Sequence, residues 1–354
     1  MTSPISSKLS TASSPPISIA PAWFAEYLGI TVPSEGQHVK IAGQSFVMRG
    51  GILRLEGTAS EAQGQTERSF GFKWDQRHTF ESEPALARVR EWLIERYGNV
   101  GEASWLGEHG DHPLILDAGC GAGMSAVELF GHTLRNSRYL GVDISTAVDV
   151  AATRFIERGL PGGFLQANVN HLPLAPRSVD IILSEGVLHH TDSTERAFYA
   201  LAELLKPGGR FLFYVYRKKG PVREFTDDYI REQLRAMAPE QAWNAVMPLT
   251  KLGKSLGDLN VEIDIPEPID LLNIPAGTIN LQRLFYWHVL KAFYRPELTL
   301  DEMNHINFDW YAPRNAHRQT VEEVRDWCAN AGFTIERERV EEAGITIIAK
   351  KRTD

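Results

Sequence analysis

The stretch LILDAGCGAG, residues 114–123, decides how the rest of the chain is read. An apolar run leads into Asp117-Ala118-Gly119-Cys120-Gly121-Ala122-Gly123, and a helix is expected to follow. Gly119 allows a tight turn, Gly121 lets a ligand approach the backbone, and Gly123 lets the helix pack closely on the strand. Twenty residues beyond Gly123, Asp143 ends the next apolar run, where a carboxylate can accept hydrogen bonds from both ribose hydroxyls of an adenosine. A dinucleotide loop would place its third glycine at 124, where this chain has Met124. The acid at Asp117 suits an ammonium better than a pyrophosphate. The expected ligand therefore carries adenosine and a cationic amine.

Outward from this loop, strand and helix patterns alternate. The expected strands are 113–118, 138–144, 163–168, 179–185 and 210–216, rich in Val, Ile and Leu. Helical segments lie between them, for example 193–205, with Ala197, Leu201, Leu204 and Leu205 at helical spacing. Such runs imply a parallel sheet covered on both faces. The alternation stops at 217 and resumes with a helix over 320–331, capped by Thr320, and strands near 333–341 and 344–351. Only a turn separates the last two strands, so they should be antiparallel neighbours. The intervening 218–317 reads as a mostly helical insertion.

Before the sheet, QSFVMR and ILRLEG flank Gly50-Gly51, a hairpin signal. Gly, Ser, Thr and Gln dominate 57–69, which predicts a loop, and a helix is expected over 83–97 with Gly98 at its end. The expected units are a flexible Ser/Thr/Pro-rich tail (1–22), an N-terminal unit with a hairpin (23–82), a first core part (83–217), a lid (218–317) and a C-terminal core part (318–354).

Composition narrows the function classes. The chain has 354 residues, a formal net charge of −8, 43% hydrophobic residues and two cysteines. That length and apolar content suit one large domain or two smaller ones and exclude wholesale disorder. Cys120 and Cys328 cannot form a disulfide framework or a four-cysteine zinc site, and the hairpin carries no cysteine, so no metal is expected. The acidic balance argues against a general nucleic-acid binder. No apolar run reaches the ~20 residues needed to span a bilayer. The N-terminus lacks the continuous apolar segment of a signal peptide and the arginines of a transit peptide. The expected setting is cytoplasmic.

The segments LDAGCGAG (116–123), GVDIS (141–145), QANVNHLPL (166–174), VDIILSEGVLHH (179–190) and LKPGG (205–209) resemble, in order, a class I S-adenosylmethionine-dependent methyltransferase of the type 11 methyltransferase-domain group. The resemblance covers 113–217 and 318–351. It implies a Rossmann-like α/β fold: seven strands, mostly parallel, the last antiparallel. It implies S-adenosylmethionine as cofactor. Asp117, Gly119, Cys120, Gly121 and Gly123 would hold the methionine part. Asp143 would hold the ribose, Ile144 would lie against the adenine, and Asn168 and Val169 would meet the adenine edge. Ser184 and Glu185 would line the floor below the sulfonium.

The acceptor side lies outside the resemblance. Residues 285–311 hold eight aromatics, about three times the chain's average density. They form either an aromatic-walled acceptor pocket or the private core of a helical lid. His288, His305, Tyr311 and His317 are candidate proton acceptors, and Trp74, Trp310, Tyr311 and Arg314 candidate pocket residues. SFGFKWDQRH (69–78) could fold over the cofactor or pack in the core. His189-His190 reads first as a structural pair. RKKGPVR (217–223) could grip an anionic group or form a solvated turn. The expected function is methyl transfer to a small molecule. The alternatives are a tRNA or protein methyltransferase, supported only by the 217–223 run, and a non-catalytic cofactor-binding subunit.

Overall fold

The computed structural model describes residues 21–57 and 60–353. The expected tail therefore lies almost wholly outside the described residues. The N-terminal part contains α1 (Ala22–Leu28), β1 (His38–Ile41), β2 (Gln44–Arg49), β3 (Ile52–Leu55), α2 (Glu61–Asp75) and α3 (Glu83–Tyr97). The first core part contains β4 (Leu114–Ala118), α4 (Met124–Phe130), β5 (Arg138–Asp143), α5 (Ala147–Glu157), β6 (Gly163–Gln166), β7 (Val179–Glu185), α6 (Thr194–Leu204) and β8 (Leu205–Tyr216). The insertion contains α7 (Pro221–Leu234), α8 (Pro239–Leu259), β9 (Glu262–Ile265), β10 (Gly277–Asn280), α9 (Leu281–His288) and α10 (Leu300–Tyr311). The chain returns through α11 (Val321–Asn330), β11 (Phe333–Val340) and β12 (Gly344–Lys351).

Ten strands form one sheet in the order β1-β2-β3-β6-β5-β4-β7-β8-β12-β11. The expected seven run from β6 to β11. The neighbours from β6 to β8 pair in parallel, and β12 runs antiparallel to both β8 and β11. All five residues of β4 are buried, which is why this strand reads as a continuous apolar run. Across the sheet, α6 buries Ala197, Phe198 and Leu201 against Phe211 and Phe213 of β8. Each of the Phe and Leu side chains contributes about 2 kcal/mol by leaving water.

The sheet is larger than expected because the N-terminal hairpin joins it. β2 and β3 pair antiparallel around Gly50 and Gly51, which have φ of +61° and +76°. β3 then pairs in parallel with β6, Leu53 opposite Leu165. Arg54 clamps the joint, reaching Asp149 on α5 at 2.6 Å and Gln166 on β6 at 2.8 Å.

Much of the loop expected over 57–69 is instead the first half of α2, started by Ser60 accepting from the Gln63 amide at 3.0 Å. The buried residues of α2 are Gln63, Thr66, Ser69, Gly71 and Lys73, so its inward face carries no apolar stripe for a periodicity argument to find. The insertion is mostly helical, with the small antiparallel pair of β9 and β10 added. α8 and α10 are locked by a buried polar cluster. Thr250 donates to Asn304 Oδ1 at 2.7 Å and accepts from Asn307 Nδ2 at 2.8 Å.

Candidate active site

The carboxyl ends of β4, β5 and β7 open into a cavity of about 280 Å3, covered by α2, α3 and α10. Each covering helix presents one face at helical spacing. Gln63, Thr66, Phe70, Lys73 and Trp74 come from α2, Ala85, Arg88, Val89, Trp92, Leu93 and Arg96 from α3, and Glu302, His305, Ile306, Asp309 and Trp310 from α10.

The glycine loop forms the floor. Gly119 has φ of +86°, and a Cβ there would meet Val187 Cγ1 at 2.3 Å. A Cβ on Gly121, at φ +50°, would meet the Trp74 indole at 2.9 Å. The α2 aromatic segment therefore lies directly on the loop. Gly123 does not reach the cavity and packs α4 against Ala151 and Phe155 of α5.

Asp117, at 2% exposure, lines the cavity. Its carboxylate accepts from the Tyr139 hydroxyl at 2.7 Å, and no cation pairs with it among the described residues. Burial, with Asp143 and Glu185 nearby, pushes its pKa up to about 7. An anion so poorly compensated favours a cationic ligand group.

Asp143 also lines the cavity. Its Oδ1 accepts from the Ser145 amide at 2.8 Å and hydroxyl at 2.7 Å, and its Oδ2 from the Gly121 amide at 2.9 Å. It thus braces the loop and keeps about one of four acceptor sites for a ligand hydroxyl. A second ribose hydroxyl would have to compete with Ser145. Cys120, Ile144, Asn168, Val169 and Glu185 line the same cavity. Asn168 Oδ1 already accepts from the Asn170 amide at 2.9 Å and retains a second lone pair. Glu185 is held by Arg96 and by the Tyr97 hydroxyl at 2.5 Å. Ser184 is turned away, its hydroxyl donating to the Ala118 carbonyl at 2.9 Å and tying β7 to β4. The cradle that excludes side chains, the unpaired Asp117 carboxylate and the Asp143 acceptor fit a ligand with an ammonium and a sugar hydroxyl.

The candidate bases separate. His305 lines the cavity between Trp74 and Phe80, both with ring centroids 5.3 Å away. Thr79 spends its hydroxyl proton on the Gln76 carbonyl at 2.7 Å, so His305 Nδ1 must donate to Thr79 across 2.8 Å. The lone pair then sits on Nε2, which has no partner among the described residues. Burial holds this imidazole neutral by lowering its pKa well below the usual value.

Tyr311 faces the other side of α10 and donates to Asp227 at 2.9 Å. His317 bonds the Thr191 carbonyl at 3.0 Å, His288 ends α9 away from the cavity, and Arg314 pairs with Glu61 at 2.9 Å. None of these four lines the cavity. The residues 302, 305, 306, 309 and 310 follow helical spacing, and Tyr311 breaks it, a signal that was present in the sequence.

Two groups were under-read. His190 is buried at the cavity wall, Nδ1 donating to the Asn315 carbonyl at 2.6 Å and Nε2 without a partner. Burial takes its pKa down to about 4. From RKKGPVR, Lys219 and Arg223 turn into the cavity. Arg223 is 1% exposed, not the part of a solvated turn. Asp309 on α10 accepts from Lys73 of α2 and from the Tyr216 hydroxyl at 2.8 Å, and its pKa lies below the usual carboxylate range despite burial, chiefly through Lys73.

A family model described as a methyltransferase domain matches residues 116–213. Those residues carry a methyltransferase domain. That segment holds the glycine loop, Asp117, Asp143, Asn168 and Glu185. Three curated relatives are similar to parts of this chain. An uncharacterized protein of Synechococcus is 35% identical over 34% of this chain and 28% of its own length. An uncharacterized methyltransferase of Bacillus subtilis is 29% identical over 57% of this chain and 84% of its own. A ubiquinone biosynthesis O-methyltransferase of Photorhabdus laumondii is 30% identical over 28% of this chain and 41% of its own. The match thus spans less than half of the first and third of these relatives. Among the described residues, no cluster of three or more His, Cys, Asp or Glu side chains could hold a metal ion, and no helix is long and apolar enough to cross a membrane.

Proposed function

We propose that the protein transfers a methyl group from S-adenosylmethionine to a small-molecule acceptor held beneath α2, α3 and α10. One observation carries this reading. The carboxylates expected to hold the cofactor, Asp117 and Asp143, and the insertion residues His305, Asp309 and Trp310 line one cavity.

Bound there, the cofactor supplies an electrophilic methyl group on a sulfonium. Asp117 would take its ammonium and Asp143 a ribose hydroxyl. Trp74, seated on Gly121, excludes water from the loop. His305 is the favoured base. It is neutral, its tautomer is fixed through Thr79, and its Nε2 is free to take a proton from an acceptor hydroxyl, amine or acidic carbon. His190 is the second candidate. The remaining work is positioning, because an in-line displacement gains most from holding its partners in near-attack geometry. Lys219 and Arg223 turn inward, which removes the main support for a nucleic-acid acceptor. A relative named for ubiquinone biosynthesis supports the small-molecule class.

Calorimetric titration of the full chain with S-adenosylmethionine tests the reading. The wild type should bind, and Asp143→Asn, which keeps one acceptor oxygen, should bind at least about tenfold more weakly through loss of a charge-assisted hydrogen bond. No binding to the wild type would sink it.

A further inference from the structure

Trp310 of α10 lines the cavity. Four cationic heads surround its indole. Arg231 Cζ, Lys291 Nζ, Arg223 Cζ and Lys219 Nζ lie 4.8, 4.9, 5.4 and 5.5 Å from the ring centroid. Cation–π attraction holds such groups in place but does not neutralise them.

The anions nearby are already engaged. Asp227 accepts from Arg223 Nε at 2.7 Å, Trp310 Nε1 at 2.8 Å and the Tyr311 hydroxyl at 2.9 Å. Asp228 pairs with Arg231 at 3.1 Å and with Arg318 at 2.8 Å. Asp309 is held by Lys73 and Tyr216. Lys219 donates to the Arg217 and Ala343 carbonyls at 2.7 and 2.9 Å, with no carboxylate against it. Lys291 is 8% exposed, and its Nζ has no hydrogen-bond or ion-pair partner among the described residues. Burial lowers its pKa to about 7. Lys219, Arg223 and Lys291 all line the cavity, as does the aromatic side chain of Tyr286 beside Arg223. Lys219, Arg223 and Lys291 thus face the cavity; Asp227 is taken by Arg223 and Asp309 by Lys73, and neither the Lys219 nor the Lys291 ammonium has a carboxylate within ion-pair distance among the described residues. A buried charge is tolerated only when paired, so this wall is built for an anion that arrives with the ligand.

We propose that the Trp310 wall of the cavity is an oxyanion subsite, formed by Lys291, Arg223 and Lys219, that binds a carboxylate or phosphate carried on an aromatic ring. That this ring belongs to the methyl acceptor rests on the proposed function. The subsite itself rests on the cations. Arg223 Nη2 has no hydrogen-bond partner among the described residues and can be offered beside the two ammonium groups. Tyr286 and Trp310 supply flat walls for the ring.

Calorimetric titration of the full chain with benzoate, phenyl phosphate and the neutral isostere benzamide tests the subsite. At least one anion should bind ten times more tightly than benzamide. Preference for benzoate assigns a carboxylate, and preference for phenyl phosphate a phosphate. Lys291→Met should erase that preference and Lys291→Arg should restore most of it. Lys219→Met, at a less buried position, gives a second reading of the same loss. Anions that bind no tighter than benzamide, or an undiminished preference in folded Lys291→Met, would overturn the proposal. S-adenosylmethionine titrated into the same samples separates the two readings. Anion preference without cofactor binding refutes only the methyl-donor reading, and cofactor binding without anion preference refutes only the subsite.

Discussion

Asp117→Asn is the sharpest probe of the cofactor cradle. The carboxylate is fully enclosed, and burial raises its pKa to about 7. In the unfolded chain it would titrate near 3.9. The folded state therefore holds a proton that the unfolded state has released between those two values. Over that window the free protein loses stability as pH rises, by about 1.4 kcal/mol per pH unit. Between about pH 5 and pH 8 the loss sums to about 2.6 kcal/mol, and above about pH 8 it levels off. Asparagine keeps the acceptor for the Tyr139 hydroxyl and has nothing to ionise. Urea unfolding at both pH values should show that Asp117→Asn lacks this loss, and that at pH 8 the ligand-free variant is the more stable protein. The cofactor should respond in the opposite sense. An ammonium partner favours the ionised carboxylate, so wild-type affinity should rise through pH 7. The variant should bind about ten to a hundred times more weakly at pH 8, the cost of losing a charge-assisted bond. Parallel pH dependence of stability in the two proteins would refute the assignment of the buried charge. Equal cofactor affinity at pH 8 would refute its role.

Two further outcomes follow from the same geometry. Gly119→Ala should cost about 2–4 kcal/mol in urea unfolding, because it combines a left-handed backbone with overlap onto the β-branched Val187; an unchanged midpoint would count against the close approach. His305→Asn should lower kcat about a hundredfold on an acceptor that must shed a proton, with cofactor affinity within about threefold of wild type; retained kcat would move the role of base to His190.

The parts legible in the sequence were those with a local signature. The central strands read as apolar runs because both faces are covered, and Asp117 and Asp143 stood out because each ends such a run. The helix α2 was missed for the converse reason. Gln63, Thr66 and Lys73 are buried toward the cavity and Ser69 against Gln65, so burial left no hydrophobic period. His190 and the run 217–223 were under-read because their roles depend on contacts distant in sequence. Nothing near Lys219 or Arg223 in the chain announces Trp310, almost ninety residues later. Tyr311 was over-read because the helical phase of α10 sets it off the face formed by 302, 305, 306, 309 and 310 and turns its hydroxyl to Asp227.

The N-terminal unit belongs to the site as firmly as the glycine loop does. β3 docks on β6, and Arg54 ties that joint to α5. α2 then meets the glycine loop through Trp74 and meets α10 through Lys73, whose ammonium pairs with Asp309. Gln65 adds a bond from α2 to the Ala312 carbonyl at 2.9 Å, just past the end of α10. Ser82, the cap of α3, bonds Glu302 at the start of α10. One helix therefore contacts both the glycine loop and α10, which carries His305 and Trp310. The Lys73–Asp309 pair is shielded from water at its lysine end, at 5% exposure, so breaking it alone leaves an uncompensated charge in the cavity. This coupling makes the segment outside the recognised domain a part of the cavity wall, so that wall is built largely from residues that the domain match at 116–213 does not include.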